Sequence, residues 1–200
     1  MRFIVWLLIH GVYRLKKTGL EHIPAQGPAL IACNHVSFVD ALVLAAACPR
    51  PIRFIMDHRI FKIPILNFVF REGRAIPIAP AKEDPAMLER AYEEVAKALA
   101  DGDLVGIFPE GGITQTGDIM PFRGGVTRIL ERSPVPVVPM ALQGLWDSIF
   151  SRKDGPAMAK FGRLDPFKDI GLVVGNPMAP DEATPENLHR VIVDLRGEHK

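Results

Sequence analysis

The chain has 200 residues, 48% of them apolar and 24% charged, with a formal net charge of +1. That length suits one domain with a real core, and that balance excludes a disordered chain and carries no global nucleic-acid signal. Two cysteines, Cys33 and Cys48, give no disulfide framework and fit a reducing compartment.

Phe3-Ile4-Val5-Trp6-Leu7-Leu8-Ile9 is continuously apolar and is followed by His10, Tyr13, Arg14, Lys16 and Lys17. It falls well short of the ~20 residues that span a bilayer. An apolar body, boundary aromatics and basic residues are the makeup of an interfacial anchor, so residues 1–17 are expected to bind a membrane surface. The competing reading is a helix packed on the core. No small-residue cleavage site of a signal peptide precedes His35. Thr18 to Pro28 reads as a short strand and a turn. Ala29-Leu30-Ile31-Ala32-Cys33 reads as a buried strand, Ala41 to Ala47 as helix, and Arg53 to Met56 as strand.

Phe61 to Phe70 is very apolar, with Arg59, Lys62 and Arg71 beside it. It reads equally as the wall of an acyl groove, a second membrane contact or a core helix, with Pro64 arguing against one long helix. Ala75 to Ile78 is a strand. Asp84-Pro85 opens a helix whose Met87, Leu88, Ala91, Tyr92, Val95, Ala98 and Leu99 form a core stripe, stopped by Gly102. Leu104 to Phe108, Val135 to Leu142 and Ile170 to Val174 are strands, the prolines placing the second near an edge or at strand ends. Thr184-Pro185 opens a last helix. Strands alternating with helices predict a single α/β domain over residues 18–200, with a mostly parallel sheet flanked by helices.

The chemistry is concentrated in Asn34-His35-Val36-Ser37-Phe38-Val39-Asp40, a strand-to-helix turn of the kind where α/β proteins place their sites. Residues five apart on a helix are roughly 140° apart, so His35 and Asp40 meet only if His35 sits in the turn and Asp40 in the first helical turn. Ser37 to Asp40 is a capping-box pattern that would start the helix near Ser37. An imidazole oriented by a carboxylate is a general base for a hydroxyl. The other readings are a structural histidine with a capping Asp40, a Ser37 nucleophile lacking its glycine elbow, and Cys33 as an acyl carrier.

Asn34-His35 with Asp40, together with Phe108-Pro109-Glu110-Gly111, resembles the first and third motifs of the glycerophospholipid (lysophosphatidic acid type) acyltransferase family. Pro121-Phe122-Arg123-Gly124-Gly125 and Val135 to Pro139 resemble its later blocks. The likeness is nearest to bacterial lysophosphatidylethanolamine acyltransferase domains and runs from about Thr18 to about Pro177. It implies that a fatty acyl group moves from acyl-CoA or acyl carrier protein, as co-substrate, to the free hydroxyl of a lysophospholipid. It also implies peripheral attachment at the cytoplasmic face of a membrane, with no metal and no cofactor. His35 and Asp40 would be catalytic, with Asn34, Glu110, Gly111 and Arg123 around the acceptor. Glu110 itself repels a phosphate, so its expected task is to accept backbone N–H bonds and fix the loop. An inactive lipid-binding protein on the same fold and an acyl-thioester hydrolase are the rival functions.

The chain departs from the family in two places. Pro80 stands where an arginine is expected after Arg74 to Ala79, and Gly112-Ile113 replaces a Thr-Arg pair. With two cations gone, Arg123 is the leading phosphate ligand and Arg74 and Lys82 are alternatives. Fewer cations suit a singly charged phosphodiester better than a phosphate monoester.

Overall fold

A computed structural model of the chain describes residues 2–62, 64–153, 155 and 167–199. The elements follow one another as α1 (Arg2–Val12), β1 (Tyr13–Thr18), β2 (Ala29–Cys33), α2 (Asp40–Ala47), β3 (Ile52–Asp57), α3 (Pro64–Glu72), β4 (Ile76–Ile78), α4 (Pro85–Ala100), β5 (Leu104–Ile107), α5 (Gly125–Arg132), β6 (Val137–Gln143), β7 (Lys168–Val174) and α6 (Pro185–Arg196). The seven strands form one sheet in the order β1-β7-β6-β2-β5-β3-β4. The five from β6 to β4 are parallel, and β7 with β1 runs opposite to them at one edge.

β2 lies inside the sheet, with β6 on one side and β5 on the other. All five of its residues are buried, the continuous apolar run expected of a parallel strand covered on both faces. Ala29, Ile31 and Cys33 face a core layer shared with Val5 and Ile9 of α1 and Val43 and Leu44 of α2. Leu30 and Ala32 face the opposite layer, built by Ala91, Val95 and Leu99 of α4, Val126 and Ile129 of α5, and Leu188 and Ile192 of α6. Helix α4 starts as its sequence dictates: Pro85 is the first residue and the Asp84 carboxylate accepts the Met87 N–H at 2.8 Å.

Three expectations are corrected by the structure. Residues 13–17, read as part of the anchor, belong to the sheet: β1 pairs with β7 from Tyr13↔Lys168 to Thr18↔Val173, and Tyr13 is buried. Residues after Thr18 form a short 3-10 turn, Leu20–His22, in place of a strand. Strand β6 is internal despite its prolines. Pro139 survives there because its missing donor faces a bulge. On that side Val137 exchanges both backbone bonds with Met178, the Pro139 carbonyl accepts the Gly175 N–H at 2.9 Å, and regular pairing with β7 begins only at Met140.

The apolar stretch around Phe61 splits into a 3-10 turn, His58–Lys62, and helix α3, which begins at Pro64. Phe70 is buried and Phe68 is exposed, while Ile63 lies outside the described residues. Among the described residues no helix is long and apolar enough to cross a membrane.

Candidate active site at the carboxyl end of the sheet

β2 and β5 are adjacent and parallel, so the turns that follow them emerge side by side. This places the His35 turn against the Pro109-Glu110-Gly111 turn. His35 Nδ1 lies 2.8 Å from Asp40 Oδ2. Asp40 is fully buried at the start of α2, and the same oxygen accepts the backbone N–H of Val36 at 2.7 Å and of Ser37 at 2.9 Å. An ionised carboxylate oxygen can only accept, so the ring nitrogen facing it is the donor and His35 carries its proton on Nδ1. Nε2 is then the unprotonated nitrogen of the neutral ring, and the imidazole is one-fifth exposed. Its plane is set by Phe108, stacked on it with centroids 4.1 Å apart. Phe54 continues the stack at 6.0 Å, over Gly106, where a β-carbon would strike the Phe54 ring.

The capping box is realised by half. Helix α2 begins at Asp40, later than Ser37 predicted, and its N-cap residue is Val39, with no side-chain cap. Asp40 still reaches back to the Ser37 N–H, while the Ser37 hydroxyl accepts the Val39 N–H at 3.3 Å. Ser37 is completely buried, which removes it as a nucleophile. Cys33 is buried and free, and burial, followed by the charge of Asp40, pushes its thiol well above the ordinary range. It is inert core.

Asn34 differs from expectation. It is fully buried, its amide donates to the Leu142 carbonyl at 3.1 Å, and its carbonyl accepts the Leu142 N–H at 2.7 Å. The side chain imitates one more peptide of β2 and prolongs the ladder to β6, and its complete burial keeps it from a substrate.

Glu110 is 2% exposed and uses both oxygens on the backbone: Oε1 accepts the His35 N–H at 2.6 Å and Oε2 accepts the Met120 N–H at 2.8 Å. Burial pushes its carboxyl up to about 7, against the downward pull of the Met120 and His35 N–H groups. It ties three segments together. Thr114 strengthens the tie, donating its N–H to the His35 carbonyl at 3.0 Å and accepting the Gly117 N–H on Oγ1 at 3.1 Å. Neither Phe108's stacking nor Thr114's role is visible in the sequence without the knowledge that β5 neighbours β2.

Gly111 adopts φ +69°, and a β-carbon there would meet the Arg123 side chain at 2.9 Å. Glycine therefore lets the guanidinium lie directly on the turn. The Arg123 backbone is held by its N–H to the Pro109 carbonyl at 2.9 Å. Arg123 is exposed, with no carboxylate in ion-pair distance among the described residues. Arg74 sits at the opposite end of the sheet, before β4, with Asp103 at 4.0 Å. Lys82 is exposed beyond β4, the strand at the far edge. Of the three candidate cations, only Arg123 is brought to the glycine turn. Among the described residues no group of His, Cys, Asp and Glu has metal-ligand geometry.

Comparison with known proteins places the chain in a family. Residues 14–143 match the family model described as Acyltransferase. The chain is 26% identical over 159 residues to a 1-acyl-sn-glycerol-3-phosphate acyltransferase of Bacillus subtilis, covering 79% of this chain and 70% of that protein. It is 29% identical over 137 residues to the chloroplastic 1-acyl-sn-glycerol-3-phosphate acyltransferase BAT2 of Brassica napus, covering 68% of this chain but 39% of that longer protein. Among solved structures, the fold resembles the 1-acyl-sn-glycerophosphate acyltransferase PlsC of Thermotoga maritima. The TM-score is 0.70 and the identity 21%, over 91% of this chain and 68% of that one.

Proposed function

Because this chain belongs to the acyltransferase family, we propose that it moves a fatty acyl group from an acyl thioester to the free hydroxyl of a lysophospholipid, with His35 as the base. The observation that carries this reading is the His35–Asp40 pair, set at the open end of the sheet beside a glycine turn bearing Arg123. His35 Nε2 takes the hydroxyl proton as the oxygen attacks the thioester carbonyl. Asp40, on Nδ1, holds the ring and stabilises the imidazolium. When the tetrahedral intermediate collapses, the C–S bond breaks and the imidazolium returns the proton to the thiolate. Phe108 and Glu110 position: the ring fixes the imidazole plane, and the carboxylate fixes the turn that carries it.

Arg123 and the N–H groups of the Gly111-Gly112 turn are the proposed cradle for the acceptor phosphate. The relatives are named for 1-acylglycerol 3-phosphate, a monoester. This chain has Pro80 and Gly112-Ile113 where those cations are expected, so the proposed acceptor is a phosphodiester such as lysophosphatidylethanolamine. Helix α1 supports peripheral attachment to a membrane, with the domain on the cytoplasmic face. Val5 and Ile9 bury one stripe against the domain, while Phe3, Ile4, Trp6, Leu7 and Leu8 stay exposed where an ordinary surface helix is polar.

The test is to incubate the protein with a panel of lysolipids and with acyl-CoA or acyl carrier protein, identifying products by mass and following thiol release. Acceptor-dependent release with a diacyl product supports transfer. Release without acceptor would replace this reading by hydrolysis, and binding without release by a lipid-binding role. A clear preference for lysophosphatidic acid would overturn the phosphodiester assignment.

A further inference from the structure

The reading of α1 as an attachment helix leaves open how the active site faces the lipid. We propose that the rim around the His35 turn is a second membrane contact, formed by two arginine-covered aromatics, Phe38 with Arg152 and Phe167 with Arg14. These seat the site against a bilayer containing anionic lipid. The proposal rests on the membrane-attachment reading and adds to it a surface, an orientation and a lipid charge.

The strand register puts both pairs on one rim. β7 is antiparallel to β6, with Gln143 opposite Gly171, and β1 runs parallel to β7 from Tyr13↔Lys168. The first residues of β1 and β7 therefore lie at the end where β6 and its parallel neighbour β2 finish, and β2 delivers His35 there. Phe167 immediately precedes β7 and donates its N–H to the Val12 carbonyl at 2.7 Å, and Arg14 is the second residue of β1. Phe38 lies between His35 and Asp40, its N–H bonded to the Phe150 carbonyl at 3.1 Å, and Ser37 bridges to Ser151 beside Arg152. Helix α1, which packs on α2, runs into this same rim through Tyr13.

Both rings are large, apolar and half in water: Phe38 is 46% exposed and Phe167 52%. Each has a guanidinium over it, Arg152 at 5.6 Å from the Phe38 centroid and Arg14 at 5.9 Å from that of Phe167. Neighbouring lysines have acidic partners: Lys16 pairs with Asp169, and Lys153 and Lys168 share Asp147. Arg14 and Arg152 have no carboxylate in ion-pair distance among the described residues. Among the described residues, each of these two unpaired guanidiniums lies over an exposed aromatic ring. A ring that enters the headgroup boundary while its guanidinium takes a lipid phosphate suits an anionic interface on both counts. A lysophospholipid keeps its headgroup in that layer, so the contact holds the His35 turn at the depth of the acceptor hydroxyl.

The test is vesicle co-sedimentation of the full chain with neutral phosphatidylcholine vesicles and with vesicles of about 30% phosphatidylglycerol. Arg14→Glu/Arg152→Glu is expected to lower partition onto the anionic vesicles by about thirtyfold or more, at roughly fivefold per basic residue lost. Partition onto neutral vesicles and turnover on detergent-dispersed acceptor stay unchanged. In a Trp6→Phe background, the emission of Phe38→Trp is expected to shift to the blue on binding and to be quenched by brominated lipid. Unchanged anionic partition, or a Phe38→Trp signal that stays in water, overturns the rim. If Trp6→Ser/Leu7→Ser abolishes binding while the rim variants bind normally, the α1 reading stands and the rim falls. Normal binding by both sets removes both. Normal vesicle binding with a selective loss of carrier-protein-dependent turnover would reassign the charge to an acidic donor protein and end the proposal.

Discussion

Two buried carboxylates stand at the ends of neighbouring strands and do different work. Asp40 gathers three donors on one oxygen, one of them the imidazole of His35. Glu110 spends one oxygen on His35 N and the other on Met120 N, so it touches only backbone. Burial alone does not distinguish them, since both are almost completely covered. The distinction is the partner: a carboxylate that grips a titratable ring tunes chemistry, and one that grips amides sets the position of the ring's backbone.

Removing the ring itself breaks the comparison most severely. His35→Ala is expected to lower turnover by on the order of 10³-fold or more with little change in the denaturation midpoint. A folded variant with near-normal turnover would refute His35 as the base. Asp40→Asn is expected to cost on the order of 10²- to 10⁴-fold in turnover, because the amide presents a donor where the imidazole needs an acceptor and favours the wrong tautomer. Its pH–rate profile should change shape along with its height. A uniform small drop would make Asp40 a helix-start residue only.

Glu110→Gln sharpens the contrast from the other side. One of the two backbone donors loses its acceptor, with an expected destabilisation of about 1–3 kcal/mol. The folded carboxyl is raised to about 7 from an ordinary value of 4.5. Between these values the folded protein holds a proton that the unfolded chain releases, so this residue's contribution is full below the lower value and is lost as pH rises through the upper one. Urea midpoints of the wild type should therefore fall from about pH 5 to about pH 8 by more than those of Glu110→Gln. Equal pH dependence in both would contradict this.

Arg123→Ala tests the turn that Glu110 holds. The acceptor's apparent KM is expected to rise about tenfold with kcat little changed, and Arg123→Lys to restore part of it, since lysine lacks the bidentate fork. Unaltered acceptor kinetics would take Arg123 out of the site. The smallest effect on chemistry is expected from Trp6→Ser/Leu7→Ser: lower vesicle binding with turnover on dispersed acceptor preserved. Removing residues 1–17 is a poor substitute for this pair, because it also strips β1 and buried Tyr13 from the sheet.

The sequence carried the fold class and the His35–Asp40 pair because both are local: strand runs, helix stripes and a spacing of five residues. What it missed is long-range. The amide of Asn34 is spent on Leu142, 108 positions away. The ring that orients His35 comes from β5, and the basic residues of the supposed anchor belong to an edge strand whose partner lies in the last quarter of the chain. No window of neighbouring residues contains those pairings. Asn34, a polar residue next to the proposed base, has the same local look whether it meets a substrate or a strand. Arg123 already led Arg74 and Lys82 by its Pro-Phe-Arg-Gly-Gly block; its place over Gly111 is a contact between distant turns that no such block displays.

The pairing of β1 with β7 also fixes an order in time. Lys16 and Asp169, joined across that edge, are 153 positions apart. At 5–20 residues per second, roughly 8–30 s of synthesis separate α1 and β1 from the strand that holds them. Closing so distant a contact is also the slow part of folding such a sheet. During that interval the apolar side of α1 has no sheet edge to hold its orientation. On the proposed membrane reading, a lipid surface within reach of the growing chain would take up α1 first, and the domain would then assemble its last edge beside a helix already moored.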